Sequence, residues 1–318
     1  MTPAPHVVAL GGGHGLYASL TALRGRCEVL TAVVTVADDG GSSGRIRAEM
    51  PVPPPGDLRM ALSALCEDTD WGRTWRDVLQ WRFATTGPLD GHAVGNLLIA
   101  GLWDRTGGIV EGLDWVARLL RCEGRVLPVS TEPIVVSAHV EGRDGVLRRV
   151  EGQVAVATAQ GRVRDLAVSP ADPAVPAATL EAIADADAVI LGPGSWYTSV
   201  LTHFLVPRVA EALVAAGGRT ILTLNIAHED EETAGTDRVD DVAVLRAAAP
   251  GFVPAAVLAD ATHDEPRLRA AVEDWGARFV VAPMRADDAV DRHDVGRLGE
   301  QYAQLLAEVA AGGSAMRR

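Results

Sequence analysis

Residues 6–15 read HVVALGGGHG: an apolar run, His6–Leu10, that stops abruptly in Gly11-Gly12-Gly13-His14-Gly15. A helical pattern, Leu16–Leu23, follows at once. Strand, glycine turn and helix in this order form the opening unit of an α/β sheet. Gly13-x-Gly15-x-x-Ala18 fits the dinucleotide fingerprint in its Ala-ended form. Glycines permit the tight turn and the close approach of a phosphate. The helix N-terminus adds N–H donors and partial positive charge. The plain alternative is a strand–helix turn with no ligand.

Working outward, Leu30–Val36 is a β-branched run that predicts a second buried strand. A long polar loop, Ala37–Gly56, follows, and then helices over Leu58–Leu65, Trp71–Phe83, Val94–Asp104 and Ile109–Arg121. The period then shortens. Arg125–Ser130, Ile134–Val140, Gly145–Val150, Val154–Ala157 and Arg162–Val168 predict short strands joined by turns. The α/β rhythm resumes with a helix at Ala178–Ala186 and a strand at Ala188–Leu191. Further strands are expected at Thr220–Leu224, Val253–Leu258 and Phe279–Ala282, and a last helix at Val295–Ala310. The expectation is an α/β, Rossmann-like, doubly wound and mostly parallel sheet. It forms one domain over 1–311, with a β-rich insertion at about 125–168 and a polar tail at 312–318.

The 318 residues are 48% hydrophobic and 22% charged, an ordinary globular composition. Net charge is −13, which excludes a dense basic surface for nucleic acid. The chain has no lysine, so a P-loop lysine and Schiff-base or pyridoxal phosphate chemistry are excluded. No apolar run has the length of a bilayer span, and the start lacks a secretory pattern. A cytoplasmic protein is expected. Cys27, Cys66 and Cys122 show no metal-ligand spacing and read as reduced, mostly buried thiols.

Chemistry-bearing residues recur where predicted strands end. After the first strand stand Gly12, Gly13, His14 and Gly15. After the second stands DDGGSSGR, with Asp38, Asp39, Gly41, Ser42, Ser43 and Arg45. Asp38 lies 23 residues after Gly15, near the place of an acidic ribose ligand, although the hydroxyl-rich loop suits phosphate or sugar better. In PPPGDLR, Gly56 precedes Asp57, which either caps the next helix or receives a ligand hydroxyl. Arg59 reaches a phosphate or pairs with Asp38 or Asp39. In GHAVGN, His92 either hydrogen-bonds a ligand or is structural, and Asn96 can present its amide to a base or sugar. Gly192, Gly194 and Ser195 form a second anion-binding turn. Trp196 and Tyr197 follow without a second glycine, which argues against a nucleophile elbow. Asn225 ends a strand. Arg292 either meets a diphosphate from the far side or pairs with Asp291 or Asp294.

Together VVALGGGHGL, TVADDGGSSGRIRAE, PPPGDLR, GHAVGNLL and LGPGSWYTS resemble the gluconeogenesis factor (YvcK/GlmR) family. That family is related to the CofD 2-phospho-L-lactate transferases. The resemblance runs from about His6 to the final helix. It implies a CofD-like fold, a UDP-N-acetylglucosamine-type ligand and a regulatory role in carbon metabolism, cell-wall precursor supply and cell shape. It also implies contact with the amidotransferase that makes glucosamine-6-phosphate (glucosamine-6-phosphate synthase). The implied ligand residues are Gly12–Gly15, Asp38–Arg45, Gly56–Arg59, His92–Asn96, Gly192–Ser195 and Arg292. Here His14 stands where relatives often have Thr, and Trp196 where they often have Leu.

The leading reading is a non-catalytic UDP-sugar-binding regulator, expected to be a homo-oligomer, a dimer. One alternative is a CofD-like nucleotide-dependent phospho-group transferase with Mg²⁺ at Asp38 or Asp39. A second is an NAD-binding oxidoreductase, motivated by Gly13–Ala18 and Asp38.

Overall fold

The computed structural model describes residues 4–142, 144–227 and 237–316. In chain order the first elements are β1 (His6–Gly11), α1 (Gly13–Leu23), β2 (Val29–Val34), α2 (Gly41–Glu49) and α3 (Gly56–Leu65). Next come α4 (Asp70–Gln80), α5 (Val94–Thr106), α6 (Ile109–Leu120) and β3 (Arg125–Pro128). The middle holds β4 (Val135–Glu141), β5 (Leu147–Glu151), α7 (Gln153–Ala157) and β6 (Arg162–Ser169). Then follow α8 (Ala177–Asp185), β7 (Ala188–Leu191), α9 (Pro207–Ala216), β8 (Thr220–Thr223) and α10 (Arg238–Ala248). The chain closes with β9 (Ala256–Asp260), α11 (Pro266–Asp274), β10 (Arg278–Ala282) and α12 (Val295–Met316).

Seven strands form one parallel sheet in the order β10-β9-β8-β7-β1-β2-β3. Its strands are buried on both faces, which is why they read as continuous apolar runs rather than alternating ones. Val7–Leu10, Ala32–Val34 and Val189–Leu191 are 2% exposed or less. Helices cover both faces. The last of them is fastened by Tyr302, whose hydroxyl lies 2.9 Å from Ser19 Oγ on α1 and 3.0 Å from Thr223 Oγ1 on β8.

From β1 the chain winds outward to β2 and β3. From β7, which lies beside β1, it winds the other way to β10. The β1–β7 boundary is therefore the topological switch point, and the loops at the strands' carboxyl ends form one rim.

The doubly wound sheet agrees with the sequence; several local expectations do not. β3 belongs to the main sheet, so the insertion begins after it. That insertion is a separate antiparallel sheet, β5-β4-β6. Val154–Ala157, expected as a strand, is helical. Its first turn is capped from far away: the Val154 N–H donates to Asp39 Oδ1 at 3.0 Å. The polar segment Ala37–Gly56, expected as loop, contains α2, which lacks an apolar face and is held by buried Ser42, Ser43 and Ile46. The helix expected to end at Phe83 stops at Gln80. α12 runs through Met316, so 312–316 is helical where a tail was expected, and 317–318 lie outside the described residues.

Among the described residues no single helix is long and apolar enough to cross a membrane. Cys66 and Cys122, far apart in sequence, both place Sγ 3.5 Å from the Leu62 carbonyl. All three cysteines are free thiols.

Candidate functional site

The two glycine turns at the switch point pack against each other. A methyl group on Gly15 would stand 2.2 Å from the Pro193 carbonyl oxygen, so only glycine permits this approach. The Gly194 N–H donates to Asn225 Oδ1 at 2.8 Å, and Asn225 Nδ2 donates back to the Gly194 carbonyl at 2.9 Å. Asn225 thus fixes the second turn in place. Ser195 caps the helical turn that follows by accepting the Thr198 N–H. These residues build a rigid rim.

The cavity lies next to this rim, on the β2 side. Its volume is about 240 Å³, and Asp38, Gly40–Ser43, Gly56–Asp57, Arg59–Met60, Arg82 and Asn96 line it. The first turns of α2, α3 and α5 all contribute to its wall. Neither α2 nor α5 is capped by the side chain of its own N-cap residue, and the positive ends of both helix dipoles lie at this wall. α1 adjoins it: a methyl on Gly12 would meet Asp57 Oδ2 and Thr35 Cγ2, each at 2.6 Å. The Thr35 hydroxyl beside it is buried, with no hydrogen-bond partner among the described residues.

A hydrogen-bond network sets the side chains. Ser42 Oγ accepts from Asn96 Nδ2 at 3.0 Å and from the Ala93 N–H at 3.4 Å. Its own proton is then directed at His92 Nδ1, 3.0 Å away. His92 is therefore an acceptor at Nδ1, the neutral tautomer with its proton on Nε2. Burial, with the nearby Arg45 charge, lowers its pKa in agreement. Asn96 Oδ1 accepts from Arg59 Nε at 2.9 Å, and Gln80 accepts a second guanidinium hydrogen. The Gly56 N–H donates to Ser43 Oγ at 3.1 Å.

Two carboxylates face this space. Asp38 accepts the Gly40 N–H at 2.9 Å. Burial pushes the Asp57 pKa up to about 7, and the charge of Asp38 pushes in the same direction; the Gly13 N–H and Arg59 oppose it. Burial lowers Arg59 to about 10, with Arg82 contributing, yet Arg59 stays cationic at neutral pH. The wall therefore offers hydroxyls, amide dipoles and two guanidinium groups for an anion, and two carboxylates for ligand hydroxyls or a cation.

The structure gathers Asp38, Gly41, Ser42, Ser43, Gly56, Asp57, Arg59 and Asn96 at the cavity, with His92 and Gly12 directly behind. Asp57 is not an N-cap: α3 starts at Gly56, and Asp57 takes the Gly13 N–H instead. Arg59 pairs with Asn96 and Gln80, not with Asp38 or Asp39. Asp39 is turned toward α7. The Arg45 guanidinium is tied to the Pro88 and Asp90 carbonyls. Gly13 and His14 lie at the outer side of the first turn, where His14 is exposed. Gly192, Gly194, Ser195 and Asn225 sit on the same rim one strand away. Arg292 lies beyond β10, exposed, and pairs with Asp288 at 3.0 Å rather than with Asp291 or Asp294. Sequence reasoning missed Arg82, Met60 and Gln80. Arg82 follows the true end of α4, where it bridges to Ala93 and donates to the Gly91 carbonyl at 2.9 Å. Reading the helix on to Phe83 hid it.

Fold and site together define a class: a doubly wound α/β protein whose anion-suited cavity adjoins the switch point. The sequence profile of the 2-phospho-L-lactate transferase CofD family matches residues 7–295. A putative gluconeogenesis factor of Mycobacterium tuberculosis is 49% identical over 258 residues, 80% of this chain and 75% of that one. The gluconeogenesis factor of Bacillus subtilis is 36% identical over 245 residues, 77% of this chain and 75% of that one. A crystal structure of a UPF0052 family member from Bacillus halodurans superposes with a TM-score of 0.84 at 31% identity. It covers 95% of this chain and 99% of that one. The chain belongs to the CofD family, among its gluconeogenesis factor relatives.

Proposed function

We propose that this protein is a cytoplasmic regulator that binds a UDP-sugar of the UDP-N-acetylglucosamine type. The observation that carries the reading is the convergence of three helix N-termini, Arg59 and Arg82 on a cavity that also presents Asp38 and Asp57. Amide dipoles and guanidinium groups suit a diphosphate, and the carboxylates suit sugar or ribose hydroxyls. A volume of about 240 Å³ lies below the usual range for a whole nucleotide-sized ligand. In this reading the cavity would hold the diphosphate part, and the rest of the ligand would extend along the rim over the Gly194–Asn225 turn. The names of the relatives support a regulatory role in carbon metabolism. The resemblance extends that role to cell-wall precursor supply and cell shape, with glucosamine-6-phosphate synthase as partner. Calorimetry with UDP-N-acetylglucosamine, UDP-glucose, GDP and NAD tests the reading. Saturable binding of a UDP-sugar in preference to NAD is expected. Absence of binding by either UDP-sugar at about millimolar concentration, a free energy near −4 kcal/mol, overturns it.

One observation favours a second reading, phospho-group transfer of the CofD type. Asp38 and Asp57 present hard oxygen donors close enough for one charge to raise the other's pKa, a donor set that fits Mg²⁺. Such an ion would neutralise phosphate charge. Arg59 and Arg82 would orient the donor. Turnover of a nucleoside diphosphate donor with an alcohol acceptor and Mg²⁺ distinguishes this reading from the first.

A further inference from the structure

We propose that Cys66 and Cys122 form an oxidation-sensitive dithiol, a modification site that hydrogen peroxide converts reversibly to a disulfide within the chain. The fold brings together two residues 56 positions apart. Cys66 is the C-terminal cap of α3, and Cys122 directly follows Arg121, the left-handed cap of α6. The Glu123 N–H donates to the Leu65 carbonyl at 2.8 Å, so the two segments lie side by side here and the residues flanking that bond, Cys66 and Cys122, are neighbours. Their side chains converge on one acceptor, each Sγ standing 3.5 Å from the Leu62 carbonyl oxygen. The thiols also hydrogen-bond each other. Closing a disulfide then takes rotation of two side chains and a small approach of their backbones. A pair that rests reduced and closes under oxidation is of the redox-sensing kind, not a structural bridge.

The surroundings suit the chemistry. Arg24 Nη1 donates to the Cys66 carbonyl at 2.6 Å and to the Ala64 carbonyl at 3.2 Å, which sets a guanidinium beside the pair. The bond from Cys122 lowers the Cys66 pKa; burial opposes this, and Arg76 and Arg24 add to the lowering. The same bond raises the pKa of Cys122, so the pair sheds one proton readily and shares the other. Cys66 is fully buried, whereas Cys122 is part-exposed and is the sulfur an oxidant reaches. With the shared proton on Cys66, the Cys122 thiolate attacks hydrogen peroxide. An S–O bond forms, the O–O bond breaks, and the departing hydroxide takes a proton from solvent to become water. Cys66 then loses its proton and attacks the Cys122 sulfenic acid. The S–S bond forms, the S–O bond breaks, and hydroxide leaves with that proton as a second water. The two thiols give up two electrons and the peroxide accepts them. The closed loop contains α4 and α5, so oxidation staples the segment that supplies Arg82 and Asn96 to the cavity wall. Cys27 is the internal control: its thiol bonds the Leu23 carbonyl at 3.6 Å, and burial pushes its pKa up to about 11.

Brief treatment of the full chain with hydrogen peroxide, then denaturation in iodoacetamide and measurement of the intact mass, tests this. Three alkyl groups are expected on the reduced chain, one after peroxide, and three again after dithiothreitol. Peptide mapping should place the surviving label on Cys27. Cys27→Ala should still lose both of its labels, and Cys122→Ala should keep both. Three labels after peroxide overturn the proposal. So does Cys122 carried to a sulfinic acid that dithiothreitol does not restore, or a disulfide that includes Cys27 or joins two chains. Should Cys122→Ala fail to fold, the peptide map of the wild type decides alone.

Discussion

Asp38, before α2, and Asp57, in the first turn of α3, face one cavity, and the charge of the first helps raise the pKa of the second to about 7. The two come from β2's exit and α3's first turn, 19 residues apart. Neither can be understood alone, because each sets what the other can bind.

Binding should be pH-dependent through Asp57. Its pKa is raised from 3.8 to about 7, so the folded state holds an extra proton between those values. Stability from this group is greatest at the acid end and falls as pH rises from about 4 to about 7. An anionic ligand prefers the neutral carboxyl. Affinity for a UDP-sugar should fall by about tenfold from pH 6 to pH 8 in the wild type and stay flat in Asp57→Asn. Calorimetry at several pH values checks this. A rise of affinity with pH that requires Mg²⁺ would instead favour the cation-bound reading.

Arg59 and Arg45 should separate cleanly. Arg59 lines the cavity, and Asn96 and Gln80 aim it. Arg59→Met should weaken UDP-sugar binding by about 1.5–3 kcal/mol, the loss of a charge-assisted hydrogen bond. Arg45 is turned to the Pro88 and Asp90 carbonyls, so Arg45→Met should leave affinity within about threefold of wild type. Equal losses in the two variants would show that the cavity is not the binding site.

Gly15→Ala should destabilise the fold by about 1–3 kcal/mol, because the added methyl must displace the Pro193 backbone. Gly13→Ala should cost about 1 kcal/mol for a different reason. The methyl there meets nothing within 4 Å, but φ is +55°. Denaturant unfolding of both variants checks the order.

Tyr302→Phe should lower stability by about 1–3 kcal/mol with no change in ligand affinity. The hydroxyl serves Ser19 and Thr223 in a fully buried place; its removal takes that partner from Thr223, while Ser19 Oγ keeps the Gly192 carbonyl at 3.1 Å. Tyr302 is not among the residues that line the cavity, and that is what keeps binding intact. Chemical denaturation and calorimetry on the same sample test both halves.

Much was written in local pattern. The apolar runs at Val7–Leu10 and Val189–Leu191, each ending in glycines, determined strand, turn and helix, because a strand buried on both faces must be apolar throughout and its exit must turn tightly. DDGGSSGR and PPPGD likewise marked the candidate site through residue chemistry. Local pattern could not show that the turns after β1 and β7 would spend their glycines on packing each other. It also could not show that the cavity would open beside them, between α2, α3 and α5. Nor could it show Asp39 capping α7, Arg45 bound to the Pro88 loop, or Arg82 entering the wall where α4 ends early. Hydrogen bonds and close contacts between distant segments settle those assignments, and their partners are chosen by the winding of the sheet rather than by neighbours in the chain.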